Sequence, residues 1–534
     1  MKNKIENIVI VGGGSSGWMT AAAISKQLPN VNLTLIESPI IPTIGVGEST
    51  IGQINEFLHY LGLKDEDWMK HCNATYKTSI KFIDFRENPS EKPHIFHYPF
   101  GMFDFTDKPR GLMEWFIASA TKPNISPYSF AEFFHDSIIM TDSNKMTKNE
   151  DMKLRAFTFA SDTAYHMDAA LFGQYLRNHV CIPTGMKHIV DNVTGATVGK
   201  DGNIDKISTE SNGDITADLF IDCTGFKSLL IEETLKVPFI SFHDTLLNDR
   251  AVAAIIPYID KDKEMECVTS CTAIESGWVW NIPLWDRIGT GYVYSSKFAT
   301  EEEAEQQFRT HLKSNRMVCP DSDRIDDMKI RHIKIKHGVH ERTWEKNVVG
   351  IGLANGFIEP LESTGLMLTH ECIIKMVNLL KCRNGKVTKY DVDCFNFAFR
   401  EQIFGFKDFI SQHYALSSRN DTPYWNHVTE EIEYSPDMYN FVSGMSGSYK
   451  EMSYKLHRSR VFGNDMGGIV YIAAGMGYNP TDSSRVNFLN ISYKETQEQT
   501  DETWRIWEEH RESVKLIVDT LPTHYKFLKD TIYT

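Results

Sequence analysis

The first apolar run of the chain, residues 8–11, is short and β-branched, and it leads straight into Gly12-Gly13-Gly14-Ser15-Ser16-Gly17. Such a run predicts a buried strand ending at a tight turn. Residues 18–28 then carry apolar side chains at helical spacing, and residues 32–37 return to a strand pattern. Strand, glycine turn, helix and strand make a βαβ opening. Residues 187–216 read as strands broken at Asp201-Gly202 and Asn212-Gly213, both hairpin signals. A buried strand at 217–223 runs into Thr224-Gly225, and residues 347–353 repeat that form into Asn355-Gly356. The polar run 141–150 predicts a surface excursion.

From Thr364 to Phe409 the periodicity is helical, and residues 411–534, rich in Trp, Tyr and charge, read as helix and loop. Strands interleaved with helices, followed by helices alone, predict a nucleotide-binding α/β body carrying a largely helical module. The division is expected near residue 400: a body over 1–400 with interleaved substrate-site segments, and a helical C-terminal module over 401–534.

The chain has 534 residues, 41% of them hydrophobic, enough for a large core without staples. Lys and Arg number 56 against 71 Asp and Glu, a formal net charge of −15. That balance argues against nucleic acid or an anionic membrane as the main partner. No apolar run approaches the length of a membrane span, and the opening residues lack a signal-peptide pattern, so the cytosol is the expected compartment. The nine cysteines are scattered with no Cys-x-x-Cys, so neither a metal cluster nor a disulfide framework is expected.

Gly12, Gly14 and Gly17 satisfy G-x-G-x-x-G. Each glycine has a mechanical role: the tight turn, close backbone approach to a pyrophosphate, and close packing of helix on strand. The helix beginning near Ser16 then aims its first amides at the phosphates. Glu37 closes the next strand twenty positions after Gly17, where a carboxylate can accept from a ribose hydroxyl. A glycine turn that binds nothing is the competing reading, and the strand, helix and acid together weigh against it. Gly47, in the glycine-rich stretch 45–50, suits a loop lying along an extended cofactor. Gly225 and Gly352, in the later strand-turn units, bring further backbone edges. These features favour FAD over NAD without closing the choice.

Several blocks together resemble the flavin-dependent tryptophan halogenases. Gly12–Trp18 is similar to the family's Gly-x-Gly-x-x-Gly-Trp. Trp278-Val279-Trp280-Asn281-Ile282-Pro283 carries the signature Trp-x-Trp-x-Ile-Pro, and Asn73-Ala74-Thr75-Tyr76-Lys77 resembles the block with the essential lysine. Phe357 to Gly365 resembles the block with the essential glutamate and the halide-binding amides. The resemblance implies a Rossmann-like FAD-binding body of the flavin monooxygenase type. It also implies a two-component enzyme: a separate NAD(P)H flavin reductase supplies reduced FAD, which with oxygen and halide yields hypohalous acid. The acid reaches an electron-rich aromatic substrate through Lys77. A homo-oligomer is also implied. A flavin-dependent aromatic monooxygenase on the same fold is the alternative function.

Within that resemblance, Lys77 forms a haloamine or hydrogen-bonds the hypohalous acid; a desolvated tunnel suits either role. A solvated lysine beside Lys81 on a surface strand is the plainer reading. Glu362 orients the halogenating species or takes the ring proton, although it also fits the acidic start of a helix. The backbone of Thr364 and Gly365, at that helix start, suits a halide (chloride, bromide or iodide). Trp278 and Trp280 alternate on a strand and so face one side, packing as core while screening the substrate from the flavin. Phe100 and then Tyr98 are the stacking candidates for the substrate, in His97-Tyr98-Pro99-Phe100. The stretch 434–441 shows no clear equivalent of the family's grip on the amino-acid end of free tryptophan, which leaves room for other indoles and for phenols.

Overall fold

The computed structural model describes residues 4–40, 47–101, 125–148, 154–320, 322–436, 467–479 and 493–534, with residues 115, 116, 118, 119, 122, 152 and 438. The chain folds into two compact units, each assembled from three segments. The first comprises residues 1–74, 166–246 and 335–404; the second comprises 75–165, 247–334 and 405–534. The boundary nearest residue 400 therefore falls between Phe404 and Gly405, and the segments before it are shared between both units.

The first unit is built on a six-stranded sheet in the order Trp344–Glu345, Val348–Gly350, Leu219–Asp222, Asn7–Val11, Asn32–Glu37, Lys187–Val190. The opening strand runs parallel to both neighbours, so its β-branched residues Ile8 to Val11 are buried. The helix Ser15–Gln27 crosses to the next strand and begins three residues earlier than the apolar pattern alone indicates. Its Ala21-Ala22-Ala23 run is fully buried, small side chains that let the helix lie close to its neighbours. The two hairpin signals are met by Gly202 at φ 83° and Gly213 at φ 71°, which turn the antiparallel strands Val193–Val198, Ile204–Thr209 and Asp214–Ile215. The helical periodicity after Thr364 resolves into the helices Gly365–Cys382 and Lys389–Ala415.

The second unit is built on a seven-stranded sheet: Arg331–Lys334, Arg250–Ile256, Ile288–Tyr294, Gly277–Pro283, Val268–Ile274, Ser79–Ile83, Ile95–Pro99. All neighbours are antiparallel except Val268–Ile274 and Ser79–Ile83. The helix Glu301–Leu312 packs Ala304, Phe308 and Leu312 against Val252, Val279 and Tyr292 of the sheet. Its start is fixed by a capping box between Thr300 and Glu303. The C-terminal residues add the helices Pro423–Glu430, Gly467–Gly475, Tyr493–Asp519 and His524–Thr531. Among the described residues no helix is long and apolar enough to cross a membrane.

One expectation is corrected. The polar run from Thr141 is a surface excursion only in part: Asp142 and Ser143 are exposed, Thr141, Met146 and Thr147 are buried, and Asn149 and Glu150 lie outside the described residues. The amide of Met146 donates to Pro522 O at 3.2 Å, and Lys145 bridges Thr523. Part of the run's backbone is satisfied by the C-terminal segment, Asn144 O accepting from the His524 amide at 2.9 Å, while the Thr141 hydroxyl donates to Ser137 O at 2.7 Å.

Candidate active site

In the first unit the glycines of the opening turn divide by what surrounds them. Gly12 sits at φ 112°, and a Cβ there would lie 2.2 Å from Cys223 O. A Cβ on Gly17 would lie 2.0 Å from Gly12 O. Both positions are closed by the protein itself. Among the described residues a Cβ on Gly14 meets nothing within 4 Å, and Gly14 precedes the helix Ser15–Gln27 without any side-chain cap. A helix start without a side-chain cap is an arrangement that suits an anionic group. Ser15 Oγ is turned away to Ala169 O at 3.0 Å.

Gly13, which the fingerprint does not require, is explained by Glu37: a Cβ there would lie 1.9 Å from Glu37 Oε2. The carboxylate folds over the turn, with Trp18 Nε1 3.3 Å from Oε2, His188 Nε2 2.8 Å from Oε1 and Arg177 Nη1 3.5 Å from Oε1. Its protein partners leave lone pairs for a further donor.

Gly225, at φ 67°, also borders open space. Its turn is organised by Asp222, which the sequence reading passed over. Oδ1 accepts from the Thr224 amide at 3.0 Å and hydroxyl at 2.6 Å, and Oδ2 accepts from the amides of Leu230 at 2.7 Å and Ile231 at 3.0 Å. Burial pushes the Asp222 carboxyl up while these hydrogen bonds pull it down. The signal was an acid two positions before the threonine of a Thr-Gly turn, at the end of an apolar strand. Gly352, at φ 67°, packs against Ser16, whose Cβ a substituent would meet at 2.9 Å. Gly47 is likewise left-handed at φ 101°, while Gly45 and Val46 lie outside the described residues. The strand Glu48–Ser49 follows, and the Glu48 carboxyl is pushed up to about 7 by burial and by the neighbouring Asp168.

Glu362 does not open the long helix as expected. It ends a short turn, Pro360–Glu362, and the helix Gly365–Cys382 begins only after Ser363 at φ 57° and Thr364. Glu362 and Thr364 are both buried. Ser363 is held by a 3.0 Å hydrogen bond between its hydroxyl and that of Ser49. Among the described residues a Cβ on Gly365 meets nothing within 4 Å.

Lys77, Tyr98, Phe100, Trp278 and Trp280 belong to the second unit, and Glu362, Thr364, Gly365 and the glycines to the first. Lys77 lies on the strand Thr75–Lys77 and is 0% exposed, which excludes the surface-strand reading. Lys81 pairs with Glu266 at 2.5 Å. Three contacts fix the backbone around Lys77. Thr75 Oγ1 donates to Pro283 O at 2.6 Å, the Tyr76 amide to His524 Nε2 at 3.2 Å, and the Thr78 amide to Cys267 O at 2.9 Å. His524 can accept because its Nδ1 is spent on Met265 O at 3.0 Å and burial lowers its pKa to about 4. Nothing in the local sequence links His524 to a lysine so far upstream.

The Lys77 ammonium lies 5.1 Å from the centroid of Phe100, and Phe100 stands edge-on to Tyr98 at 6.3 Å. Trp278 and Trp280 share a face of the strand Gly277–Pro283, their rings 6.2 Å apart. Trp278 is buried; Trp280 lies across Gly291 of the adjacent strand, where a Cβ would be 2.2 Å from its ring. Of the stretch 434–441, Tyr434 and Met438 are buried, while Asp437, Tyr439, Asn440 and Phe441 lie outside the described residues.

A family model described as tryptophan halogenase matches residues 7–489. Tryptophan 7-halogenase RebH of Lentzea aerocolonigenes is 32% identical over 553 aligned positions, covering 99% of each chain. Tryptophan 6-halogenase ThaL of Streptomyces albogriseolus is 35% identical over 437 positions, covering 80% of this chain and 79% of that protein. Among solved structures, VirX1 in its apo form superposes with a TM-score of 0.88 at 44% identity, covering 99% of both chains. The tryptophan 6-halogenase SttH from Streptomyces toxytricini gives a TM-score of 0.82 at 32% identity, covering 98% of this chain and 99% of that one.

Proposed function

The chain belongs to the tryptophan halogenase family, and we propose that it is the halogenating component of a two-component system acting on an indole- or phenol-type aromatic. The observation that carries this reading is Lys77, an ammonium with no solvent exposure packed beside an aromatic ring. Taking a lysine out of water is costly, and burial favours the neutral, nucleophilic amine that halogen transfer needs.

FAD, delivered reduced by a separate NAD(P)H flavin reductase, supplies together with oxygen the two-electron oxidation that turns halide into hypohalous acid. The open space at Gly14 and Gly225, beside positions 12 and 17 that the protein closes, fits a pyrophosphate and an extended cofactor. Gly12, Gly14, Ser15 and Gly17 form its phosphate turn. Glu37 takes the ribose, and Gly47, Gly225 and Gly352 give backbone edges along its length.

The amides of Thr364 and Gly365 hold the halide at an uncapped helix start. Lys77 binds the hypohalous acid through its ammonium, or carries the halogen on its amine, and so presents an electrophile to the ring. Glu362 accepts the proton that the ring carbon loses as the carbon–halogen bond becomes permanent. Phe100 and Tyr98 stack on the substrate, and Trp278 and Trp280 keep the flavin chemistry from oxygenating it directly.

The test uses FAD, a flavin reductase, NADH, oxygen and bromide with a panel of indoles and phenols, read by mass spectrometry. Products carrying the bromine isotope doublet support the reading. Oxygenated products without bromine would transfer the assignment to an aromatic monooxygenase.

A further inference from the structure

Tyr98, the partly exposed aromatic next to Phe100, is clasped by the helix Gly467–Gly475 of the same unit. Two glycines of that helix, seven positions apart and so on one face, act as notches for alternate side chains of the strand Ile95–Pro99. A Cβ on Gly468 would lie 2.8 Å from Tyr98 Oη, and a Cβ on Gly475 would lie 2.3 Å from the Phe96 ring. Between them Tyr471 stacks on Tyr98, with centroids 6.2 Å apart and planes 25° from parallel.

Tyr471 is itself locked. Its hydroxyl hydrogen-bonds His135 Nε2. His135 is fully buried, and its Nδ1 lies 3.1 Å from Ala156 O, a group that can only accept, so Nδ1 carries the ring proton. Burial lowers the His135 pKa to about 4 and keeps the ring neutral. Nε2 is therefore the acceptor and Tyr471 the donor, which fixes the phenol in one orientation. Phe130 also packs against Tyr471 in a T-shaped contact, centroids 5.3 Å apart.

We propose that Tyr471, oriented by His135, is a positioning residue that sets the attitude of Tyr98 and thereby decides which ring position of the substrate is halogenated. The inference rests on the reading of Tyr98 and Phe100 as substrate contacts. Its logic is geometric. Lys77, Phe100, Tyr98 and Tyr471 form an unbroken run of neighbours, so a tilt of Tyr98 changes how an aromatic plane lies relative to the lysine. The carbon attacked is the one nearest the electrophile, and small displacements are enough to change it.

The experiment is the isomer ratio of brominated products from tryptophan, tryptamine, indole and 5-hydroxyindole. It compares wild type with Tyr98→Ala, Tyr471→Phe, His135→Gln, His135→Leu and Gly468→Ala. The ratio reports only molecules that turn over, so misfolding lowers the yield without moving it. Tyr98→Ala and Tyr471→Phe are expected to shift the ratio about threefold or more on at least one probe. His135→Gln, whose amide oxygen still accepts the Tyr471 proton, stays closer to wild type than His135→Leu. Gly468→Ala pushes on the Tyr98 hydroxyl directly and shifts the ratio even if Tyr471→Phe does not fold. An unchanged ratio in both Tyr471→Phe and Gly468→Ala, alongside a shift in Tyr98→Ala, overturns the inference and leaves the substrate reading standing. If Tyr98→Ala leaves the ratio untouched, or wild type brominates none of the four probes, the substrate reading fails.

Discussion

The ammonium of Lys77 lies 5.1 Å from the centroid of Phe100, with the lysine wholly out of solvent. An aromatic face attracts a cation, and more strongly where water is excluded. Phe100 thus holds the head of the lysine at one place, and the proposed function adds a second role, stacking on the substrate. Its own backbone is tied to the lysine strand, the Phe100 amide donating to Thr78 O at 3.1 Å.

Phe100→Leu keeps an apolar filler but removes the ring face. Halogenation should fall about tenfold or more through a looser lysine and a lost stacking partner, while Tm moves little. Steady-state product formation and a thermal melt check it together.

Two neighbouring glycines should fail in opposite ways. Gly17→Ala places a methyl against the Gly12 carbonyl, so it should cost about 1–3 kcal/mol of stability. Gly14→Ala meets only open space and should leave the melt unchanged while weakening FAD binding about tenfold, because its methyl occupies the approach of the phosphates. Denaturant midpoints and the quenching of FAD fluorescence separate the two; equal stability loss in both would contradict the assignment.

His524→Leu removes the acceptor for the Tyr76 amide and leaves that donor buried. The loss should be about 1–3 kcal/mol, with halogenation reduced further than stability accounts for, since the strand carrying Lys77 loosens. His524→Gln, which can still accept, should recover much of the activity.

Glu48 provides a pH signature. Its carboxyl is raised from 4.5 to about 7 in the folded chain, by burial first and by Asp168 second. The folded state therefore holds this proton more tightly than the unfolded state. The associated stability is present below about pH 4.5 and is lost as pH rises through about 7. Urea midpoints should fall between pH 5 and pH 8 by the equivalent of about 1–3 kcal/mol from this group, reduced by its partial exposure. Glu48→Gln should flatten that part of the profile; an identical slope in the variant would contradict the burial assigned to Glu48.

The opening βαβ unit was legible because its strands lie buried between parallel neighbours and its glycines are dictated by backbone contacts the motif encodes. The seven-stranded sheet was not. Val268–Ile274 and Ile288–Tyr294 are buried throughout, yet they are rich in Thr, Ser and Gly and show no alternation of apolar and polar residues. Gly277–Pro283 pairs with both, a local meander, but the other neighbour of Val268–Ile274 is the far upstream strand Ser79–Ile83, which no local window holds. Lys77 was recognised by its motif, but what fixes it was invisible: His524 lies 448 positions away. Tyr471 and His135 were missed for the same reason, being ordinary residues until the fold brings them together.

The most direct test of the central claim compares Lys77→Met with wild type in the presence of reductase, NADH, bromide and two acceptors: an indole substrate, and monochlorodimedone as a trap for free hypobromous acid. Methionine fills the buried space without an amine. The account predicts that Lys77→Met still oxidises bromide, seen as bromination of the trap, while bromination of the indole falls to the level caused by free hypobromous acid and loses its positional preference. Retention of wild-type yield and position on the indole by Lys77→Met would contradict the account.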